Sequence, residues 1–265
     1  MSDDALREDR DGVAVVTLDR DEKLNAISLA MRDVIFRAVD DLRDRDDLRV
    51  LLIRARGRYF TAGADIGEGG PTAGDSAPRE ATGVDVRRDY RRSLHVFLDE
   101  MEAVEKPIVM AIHGPCLGLG VEMAGAVDFR IAGESASFGL PEIDIGVIAG
   151  SGGVSRFTRL CGPGWGKWLN MAGERIDART AQIAGFVQAV HADEDLDREA
   201  WAFCERLMKR PAEVQGVAKL AVELAWDLDR HQARHVERIV NTPLIMADRT
   251  DLVKGVLGRG KKRER

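Results

Sequence analysis

Two glutamates in apolar surroundings are the side chains best suited to acid–base chemistry. Glu122 follows Val121 near the start of a mostly apolar helical segment, and Glu142 lies between Pro141 and Ile143. A carboxyl group in an apolar setting has a raised pKa, which lets it exchange protons near neutral pH. A single such glutamate is more often ion-paired or solvated. Two of them, each beside a glycine-rich turn, predict a pair of general acid–base residues.

Three segments rich in small residues accompany these glutamates. FTAGADI occupies 60–66, HGPCLGLGVE occupies 113–122 and GSGG occupies 150–153. Small residues let backbone N–H groups approach a ligand, and a glycine-rich turn at a helix N-terminus suits an oxyanion or a phosphate. A tight turn capped by Asp65 and close helix–strand packing are the structural alternatives. A nucleotide site is disfavoured, because Met123 stands where a dinucleotide fingerprint needs its third glycine.

The remaining reactive residue types form no recognisable site. The three cysteines, Cys116, Cys161 and Cys204, are too widely spaced for a disulfide framework or a CxxC pair, and the five histidines lack zinc-ligand spacing. A G-x-S-x-G nucleophile elbow needs a glycine two residues before Ser151, where this chain has Ala149. We therefore expect no metal and no nucleophilic serine.

Composition places these residues in a globular chain. The 265 residues suffice for one domain or one domain with an appendage, and no run of about 20 apolar residues is present to span a membrane. A charged N-terminus without a secretory signal, together with the odd cysteine count, predicts a cytoplasmic protein. Net charge is −6, but the last twelve residues hold six basic residues against Glu264, so the rest is more acidic still. That acidity disfavours nucleic acid as the main partner.

The elements that must hold these residues alternate between strands and helices. Apolar, β-branched runs predict strands at 13–18, 50–53, 107–112 and 127–132. Apolar residues at helical spacing predict a helix over 28–43, with its first serine as the N-cap. Strand, helix, strand in repeated order indicates an α/β fold with a buried sheet.

The rest of the chain divides into a loop and a helical part. Residues 67–83, rich in Gly, Pro, Ser and Thr, predict a mobile loop of the kind that covers sites. Beyond residue 162 the pattern shows no convincing strand. Helices are predicted there at 178–183, 196–208, 211–225 and 229–246.

Taken in order, these segments resemble the crotonase superfamily of enoyl-CoA hydratases and isomerases. FTAGADI is similar to the family's F-x-A-G-A-D-I/L segment, GLGVE to its glycine-rich helix start, and 138–153 to its F-x-x-P-E and G-x-G-G segment. LDR at 18–20, KLNA at 23–26 and the stretch 172–187 are similar to further family motifs. The resemblance extends from Val13 to Gly255. Each motif alone is weak, but the ordered set is specific.

The resemblance implies a fold, a division of the chain and an assembly. The family fold is α/β, a crotonase-like spiral of repeated ββα units with a helical C-terminal trimerisation region. It implies a core with the CoA and acyl site over 1–190, and a helical region for oligomerisation with the basic tail over 191–265. We expect a homotrimer or a dimer of trimers that binds an acyl-CoA substrate, with no nucleic-acid or membrane partner.

The resemblance also implies a reaction, the reversible hydration of a 2-enoyl-CoA to a 3-hydroxyacyl-CoA, as in fatty acid metabolism. The backbone N–H groups of Ala64 and Leu119 would form an oxyanion hole that stabilises the thioester enolate. Glu122 and Glu142 would hold a water between them, delivering its oxygen to the β-carbon and a proton to the α-carbon. No cofactor is expected, because coenzyme A is part of the substrate.

The family's CoA-binding positions carry over to residues from both ends of the chain. They are Lys23, Leu24, Ala26, Ala62, Asp65, Ile66, Gly118, Arg259 and Lys262. Two positions depart from the family pattern. Leu119 replaces the middle one of three glycines, and Arg259 stands where the family has an aromatic residue stacked on adenine. An arginine can also stack on a base, and lysines beside it can meet the CoA phosphates.

Two alternatives stay open beside a simple hydratase. One is an isomerase, or a hydratase restricted to branched, cyclic or aromatic acyl groups, which Leu119 and the 67–83 loop would suit. The other is a non-catalytic relative that binds acyl-CoA or RNA. Both glutamates are present, whereas family isomerases usually keep only the carboxylate equivalent to Glu142, so the hydratase is favoured. The acidic body of the chain disfavours RNA.

Overall fold

The computed structural model describes residues 4–68, 82–250 and 253–254. The chain forms two compact units, the first ending at Ala212 and the second beginning at Glu213. The first unit contains both sheets, and the second contains the last two helices. Among the described residues, no helix is long and apolar enough to cross a bilayer.

The first unit opens with a hairpin that the sequence pattern does not predict. Strand β1 (Ala5–Arg10) pairs antiparallel with β2 (Val13–Leu18). Asp11 and Gly12 between them have φ of 52° and 80°, the left-handed conformation that a two-residue hairpin turn requires. β1 is an edge strand with charged residues, and Ala5 is its one buried residue. Its sequence therefore lacks the apolar pattern of a strand.

Helix α1 (Leu29–Asp44) and strand β3 (Val50–Ala55) complete the predicted β-α-β unit. Ser28 caps α1, since its Oγ accepts a hydrogen bond from the Met31 N–H at 3.1 Å. The face of α1 that packs into the core consists of Met31, Ile35, Ala38, Val39 and Leu42. β3 runs parallel to β2. The strand, helix and strand predicted in this part of the chain are all confirmed.

The middle of the chain continues the alternation. In chain order it contains α2 (Gly83–Tyr90), α3 (Val96–Ala103), β4 (Ile108–Ile112), β5 (Pro115–Leu117), α4 (Leu119–Ala126), β6 (Phe129–Gly133) and β7 (Ser137–Gly139). A π-helical turn over Arg91–His95 joins α2 to α3. The strands predicted at 107–112 and 127–132 correspond to β4 and β6.

The C-terminal part contains helices and two short strands. They are α5 (Ser155–Asn170), β8 (Ile176–Asp177), α6 (Ala178–Ile183), β9 (Ala189–His191), α7 (Leu196–Met208), α8 (Ala212–Asp227) and α9 (Arg230–Met246). The four helices predicted here are confirmed. The expectation of no strand beyond residue 162 is wrong, because strands as short as β8 and β9 cannot display the alternation of apolar and polar residues that identifies a strand.

Two sheets organise the first unit. The larger has the order β1-β2-β3-β4-β6-β9 and is parallel except for β1. The smaller has the order β5-β7-β8, with β5 parallel and β8 antiparallel to β7. Alternate residues of the larger sheet, such as Val13 and Leu52, pack with Leu196 and Ala200 of α7. Since α7 packs on the sheet, the first unit extends beyond residue 190, where the sequence predicts the division.

Backbone pairing brings the three motif-bearing segments together. Thr61 forms a β-bridge with Cys116, and Cys116 is paired with Phe138 across β5 and β7. The Gly118 N–H donates to the Gly139 carbonyl oxygen at 3.0 Å. The chain after β3, the start of α4 and the segment after β7 therefore meet at one end of the smaller sheet.

Candidate active site

The turn that begins α4 depends on Gly118. Its φ of 52° and ψ of −121° form a conformation that glycine adopts readily and other residues avoid. A β-carbon at this position would stand 2.8 Å from Oε1 of Glu142. Gly118 thus allows both the turn and the close approach of a carboxylate to the backbone.

The N–H groups of Ala64 and Leu119 lie at this same turn. A β-carbon on Gly63 would stand 3.5 Å from the Leu119 nitrogen, so the two segments are in close contact. Ile27 pairs with the backbone on either side of Ala64, accepting from the Asp65 N–H at 3.2 Å and donating to the Gly63 carbonyl at 2.8 Å. Neither the Ala64 nor the Leu119 N–H donates to another described residue. Two backbone donors therefore remain for a ligand.

Glu122 lies one turn into α4 and is buried. Its Oε1 accepts hydrogen bonds from the Ser151 N–H at 2.6 Å and from the Gly153 N–H at 3.2 Å. The pKa of Glu122 is raised to about 7, mainly by burial and also by the nearby Glu142 carboxylate, while the two amides and Arg156 lower it. Its carboxyl group can therefore give or take a proton near neutral pH.

Glu142 approaches from the other side of the turn. It lies in a short 3-10 helix, Pro141–Ile145, directly after β7. Its Oε2 is buried and has no hydrogen-bond partner among the described residues. Burial raises the pKa of Glu142 as well. A buried carboxyl oxygen without a partner has the capacity to bind a polar group that enters the site.

The segment predicted to contact CoA is held by Asn25. Leu24 and Asn25 both have φ of 53°, an uncommon conformation that Asn tolerates better than most residues. The buried Asn25 amide donates to the carbonyl oxygens of Arg56 and Tyr59 at 2.7 and 2.8 Å. The Ala62 N–H donates to the Leu24 carbonyl at 2.9 Å. The turn that carries Lys23, Leu24 and Ala26 is therefore adjacent to Ala62.

Asp65 has a structural partner in this region. Nη1 of the buried Arg20 donates to Oδ2 of Asp65 at 2.7 Å and to the Ala26 carbonyl at 3.3 Å. The Gly67 N–H donates to Oδ1 of Asp65 at 2.9 Å. This ion pair fixes the segment after Ala64 against the 20–27 turn. Ile66, by contrast, is 76% exposed.

The sequence profile described as enoyl-CoA hydratase/isomerase matches residues 8–263. The chain belongs to this family. It is 32% identical over 226 residues to a probable mitochondrial enoyl-CoA hydratase of Dictyostelium discoideum, covering 85% of this chain and 77% of that one. It is 30% identical over 254 residues to probable mitochondrial enoyl-CoA hydratase 2 of Arabidopsis thaliana, covering 96% and 80%.

Solved structures agree with the family assignment. An enoyl-CoA hydratase of Bacillus anthracis superposes with a TM-score of 0.84 at 28% identity, covering 98% of this chain and 96% of that one. One from Geobacillus kaustophilus gives a TM-score of 0.84 at 28% identity, covering 98% and 95%. The crotonase-like α/β fold predicted from the motifs is therefore confirmed, as is membership of the enoyl-CoA hydratase/isomerase family.

The predicted site residues of this enoyl-CoA hydratase/isomerase chain fall into three groups. Ala64, Leu119, Glu122 and Glu142 converge on the start of α4, with Gly118. Those predicted for CoA from Lys23 to Ile66 lie on two adjacent segments. Arg259 and Lys262 lie outside the described residues. Gly118 has the left-handed φ of the turn, so Leu119 does not need this conformation. The Leu119 N–H therefore stays in place as a donor although the residue is not glycine.

Several residues that build the site are missed by sequence reasoning. The amides of Ser151 and Gly153, which bind Glu122, carry no side-chain signature, although the GSGG spacing indicates a turn. Asn25 could have been found as an Asn in a turn, since Asn is enriched at left-handed positions. Arg20 lies in the LDR motif, but nothing local in the sequence predicts its ion pair, because its partner Asp65 lies 45 residues away.

Proposed function

We propose that this chain catalyses the reversible hydration of a 2-enoyl-CoA to a 3-hydroxyacyl-CoA. The observation that carries the proposal is the placement of two glutamates with raised pKa values at one glycine turn. Glu122 is bound by two backbone amides, whereas Glu142 has a buried oxygen without a described partner. The relatives from Dictyostelium discoideum and Arabidopsis thaliana are both named probable enoyl-CoA hydratases, which supports the same reaction.

The first step of the proposed reaction is polarisation of the thioester. The N–H groups of Ala64 and Leu119 would donate to the thioester oxygen, and donors of this kind contribute about 3 kcal/mol each when they point at developing negative charge. Polarisation draws electron density from the β-carbon, so that a water oxygen can add there. The electrons of the double bond then move to the thioester oxygen as an enolate.

The two glutamates would divide the proton transfers. The amides of Ser151 and Gly153 stabilise the ionised form of Glu122, which suits it to accept a proton from the attacking water. Burial raises the pKa of Glu142, which allows it to carry the proton that reaches the α-carbon as the enolate collapses. The net change is the addition of one water across the double bond, and return of the proton from Glu122 to Glu142 restores the site.

Loss of the absorbance of the conjugated enoyl thioester on mixing with crotonyl-CoA tests the proposal. Glu122→Gln and Glu142→Gln should each lower turnover by about a hundredfold or more, since acid–base groups typically contribute factors of 10² to 10⁴. Glu134→Gln is the matched control, because Glu134 is exposed and paired with Arg179 at 2.9 Å. Full activity in both site variants would sink the proposed roles.

A double-bond isomerase is the second candidate. A relative from Mycosarcoma maydis, 30% identical over 243 residues and covering 88% of this chain and 85% of that one, is named an enoyl-CoA isomerase/hydratase. Leu119 is buried at the oxyanion turn, and its side chain would give the acyl pocket a different shape from that of a relative with glycine at this position. A panel of linear, branched, cyclic and aromatic enoyl-CoA substrates, including 3-enoyl isomers, distinguishes these cases. Binding without turnover of any of them would favour a non-catalytic relative.

We also propose a homotrimer or a dimer of trimers, with acyl-CoA as the partner. Large apolar side chains are exposed on the last two helices of a single chain, which is typical of surfaces that associate. They include Val222, Leu224 and Trp226 on α8 and Ile239, Ile245 and Met246 on α9. Light scattering after gel filtration measures the assembly. The absence of a separate cofactor and a cytoplasmic location stay predictions.

A further inference from the structure

Arg156 lies between the helix that carries Glu122 and the loop that binds its carboxylate. It belongs to the first turn of α5, and its side chain is 11% exposed. A β-carbon on Gly125 of α4 would stand 3.0 Å from the Arg156 Cβ, and one on Gly152 would collide with its guanidinium. Two glycines, one on each side, thus leave the space that this side chain fills.

The guanidinium joins the loop to α3. Nη1 of Arg156 donates to the Ser151 carbonyl oxygen at 3.1 Å. Nε and Nη2 donate to the two carboxylate oxygens of Glu102 at 2.8 and 2.7 Å, and Nη2 also donates to Asp99. A bidentate pair of this kind fixes the plane of the guanidinium as well as its position. Arg156 is therefore held from α3 while it holds the loop.

Ser151 connects this arrangement to the reacting groups. Its N–H donates to Glu122 at 2.6 Å, and its carbonyl accepts from Arg156, so one peptide segment carries both contacts. Gly152 has φ of 115°, which glycine alone adopts readily and which aligns the Gly153 N–H with the same Glu122 oxygen at 3.2 Å. The position of two donors to Glu122 thus depends on the peptide that Arg156 binds.

We propose that Arg156 is a positioning residue for Glu122. By holding residues 151–153 it keeps two backbone donors on one carboxylate oxygen, and through Glu102 it ties that carboxylate to α3. It touches no reacting atom. The kinetic consequence rests on the proposed hydration, whereas the effect on the loop does not.

The charged groups around Glu122 determine whether loss of Arg156 raises or lowers the pKa of Glu122. Glu142 faces it across the turn, and Asp99 and Glu102 face Arg156 from α3. His95 also lies nearby, since its Nε2 donates to the Gly150 carbonyl at 2.8 Å. Loss of the cation removes an attraction for the Glu122 carboxylate and leaves the acidic groups unpaired. The pKa of Glu122 should then rise.

The kinetic test compares Arg156→Gln, Arg156→Lys and Glu102→Gln with Arg43→Gln. Arg43 makes a more exposed ion pair with Glu100, also on α3, at 2.8 Å, and does not touch the loop. Misplacement of a catalytic group by about 1 Å costs up to about a hundredfold, so Arg156→Gln should lower kcat by about ten- to a hundredfold. KM should change by no more than about twofold, because ground-state binding is untouched.

The pH profile separates positioning from simple loss of stability. In Arg156→Gln the acidic limb of kcat should move to higher pH, and Arg156→Lys should recover part of the rate. Glu102→Gln should lower kcat without moving the limb to higher pH, because it keeps the cation and removes a carboxylate. Arg43→Gln should leave both kcat and the limb unchanged. An Arg156→Gln enzyme with the parent kcat and pH limb, or one altered in KM alone, overturns the proposal.

Amide hydrogen exchange tests the structural part without any substrate. Peptides containing Ser151 and Gly153 should exchange about tenfold faster in Arg156→Gln and Glu102→Gln than in the parent or Arg43→Gln, as expected for a loop released from its partners. Unchanged exchange in both variants contradicts the proposal. If the parent turns over no enoyl-CoA but the exchange difference is present, the proposed function fails and the positioning of Glu122 by Arg156 stands.

Discussion

Gly118 and Glu142 are packed so closely that a single added carbon atom would stand 2.8 Å from the Glu142 Oε1. The glycine also has a left-handed φ of 52°. We predict that Gly118→Ala lowers kcat for crotonyl-CoA by about a hundredfold, because it displaces both Glu142 and the N–H of Leu119. Gly164→Ala in α5 is the control, since its β-carbon would meet no atom within 4 Å. Equal loss in both variants would indicate a general effect on folding.

Turnover should depend on the ionisation of Glu122. Its pKa is raised to about 7, mainly by burial. If its carboxylate accepts the proton of water, kcat should fall as pH drops below about 7, by tenfold per pH unit well below that value. A rate profile with crotonyl-CoA between pH 5 and pH 9 measures this. The prediction is wrong if the rate is flat across the acidic range.

Glu122 should also make folding less favourable at high pH. Its pKa is raised from 4.5 when folded, so the neutral form contributes stability below pH 4.5 that is lost as pH rises through about 7. The loss is about 3 kcal/mol by linkage. Glu122→Gln should therefore be more stable than the parent at pH 8 and similar to it at pH 4.5. Urea unfolding at the two pH values compares them, and a parent that is the more stable at pH 8 would contradict the prediction.

The ion pair of Arg20 and Asp65 should matter for both stability and CoA binding. Removing one partner of a buried pair leaves an uncompensated charge, and typically costs about 3–5 kcal/mol. The loss in free energy of unfolding should therefore be several-fold larger for Arg20→Met than for Arg179→Gln, which breaks an exposed pair. Calorimetric binding of CoA should weaken in Arg20→Met alone. Equal, small effects from both variants would show that the pair is not important.

Two substitutions at Asn25 separate its backbone conformation from its hydrogen bonds. Asn25→Gly keeps the left-handed φ of 53° accessible but removes the bonds to Arg56, Tyr59 and the Arg20 N–H. Asn25→Ala removes the bonds and adds backbone strain, which costs about 1 kcal/mol more. Chemical denaturation should therefore rank the parent above Asn25→Gly and Asn25→Ala last. A reversed order of the two variants would show that strain is absent.

Much of the fold follows from sequence because its main elements are long and strongly patterned. The helix capped by Ser28 has clear apolar periodicity, and the strands β2, β3, β4 and β6 are mostly apolar runs. β1 has no apolar pattern because most of its residues are charged, and β8 and β9 are too short to display one. Glu122 and Glu142 stand out because each is a charged residue in an apolar segment.

The supports of the site are harder to predict. Arg156 contacts Ser151 nearby in sequence, but its partner Glu102 lies 54 residues away on another helix. Its neighbours in sequence give no sign that the side chain turns inward. Backbone amides such as those of Ser151 and Gly153 occur whatever the side chain, so residue type does not reveal that these two donate to Glu122 in the fold. Such residues act through position, which local pattern does not encode.

The donors proposed for the oxyanion belong to the main chain of Ala64 and Leu119, and this has a consequence for how such an enzyme can evolve. Every amino acid except proline supplies a backbone N–H. The side chains at these two positions can therefore change, within the limits of packing, without deleting the donors. Leu119 already illustrates this freedom, since Gly118 absorbs the unusual backbone angles. Substitutions at these two positions can therefore change the substrate preference, while the proposed oxyanion donors are retained.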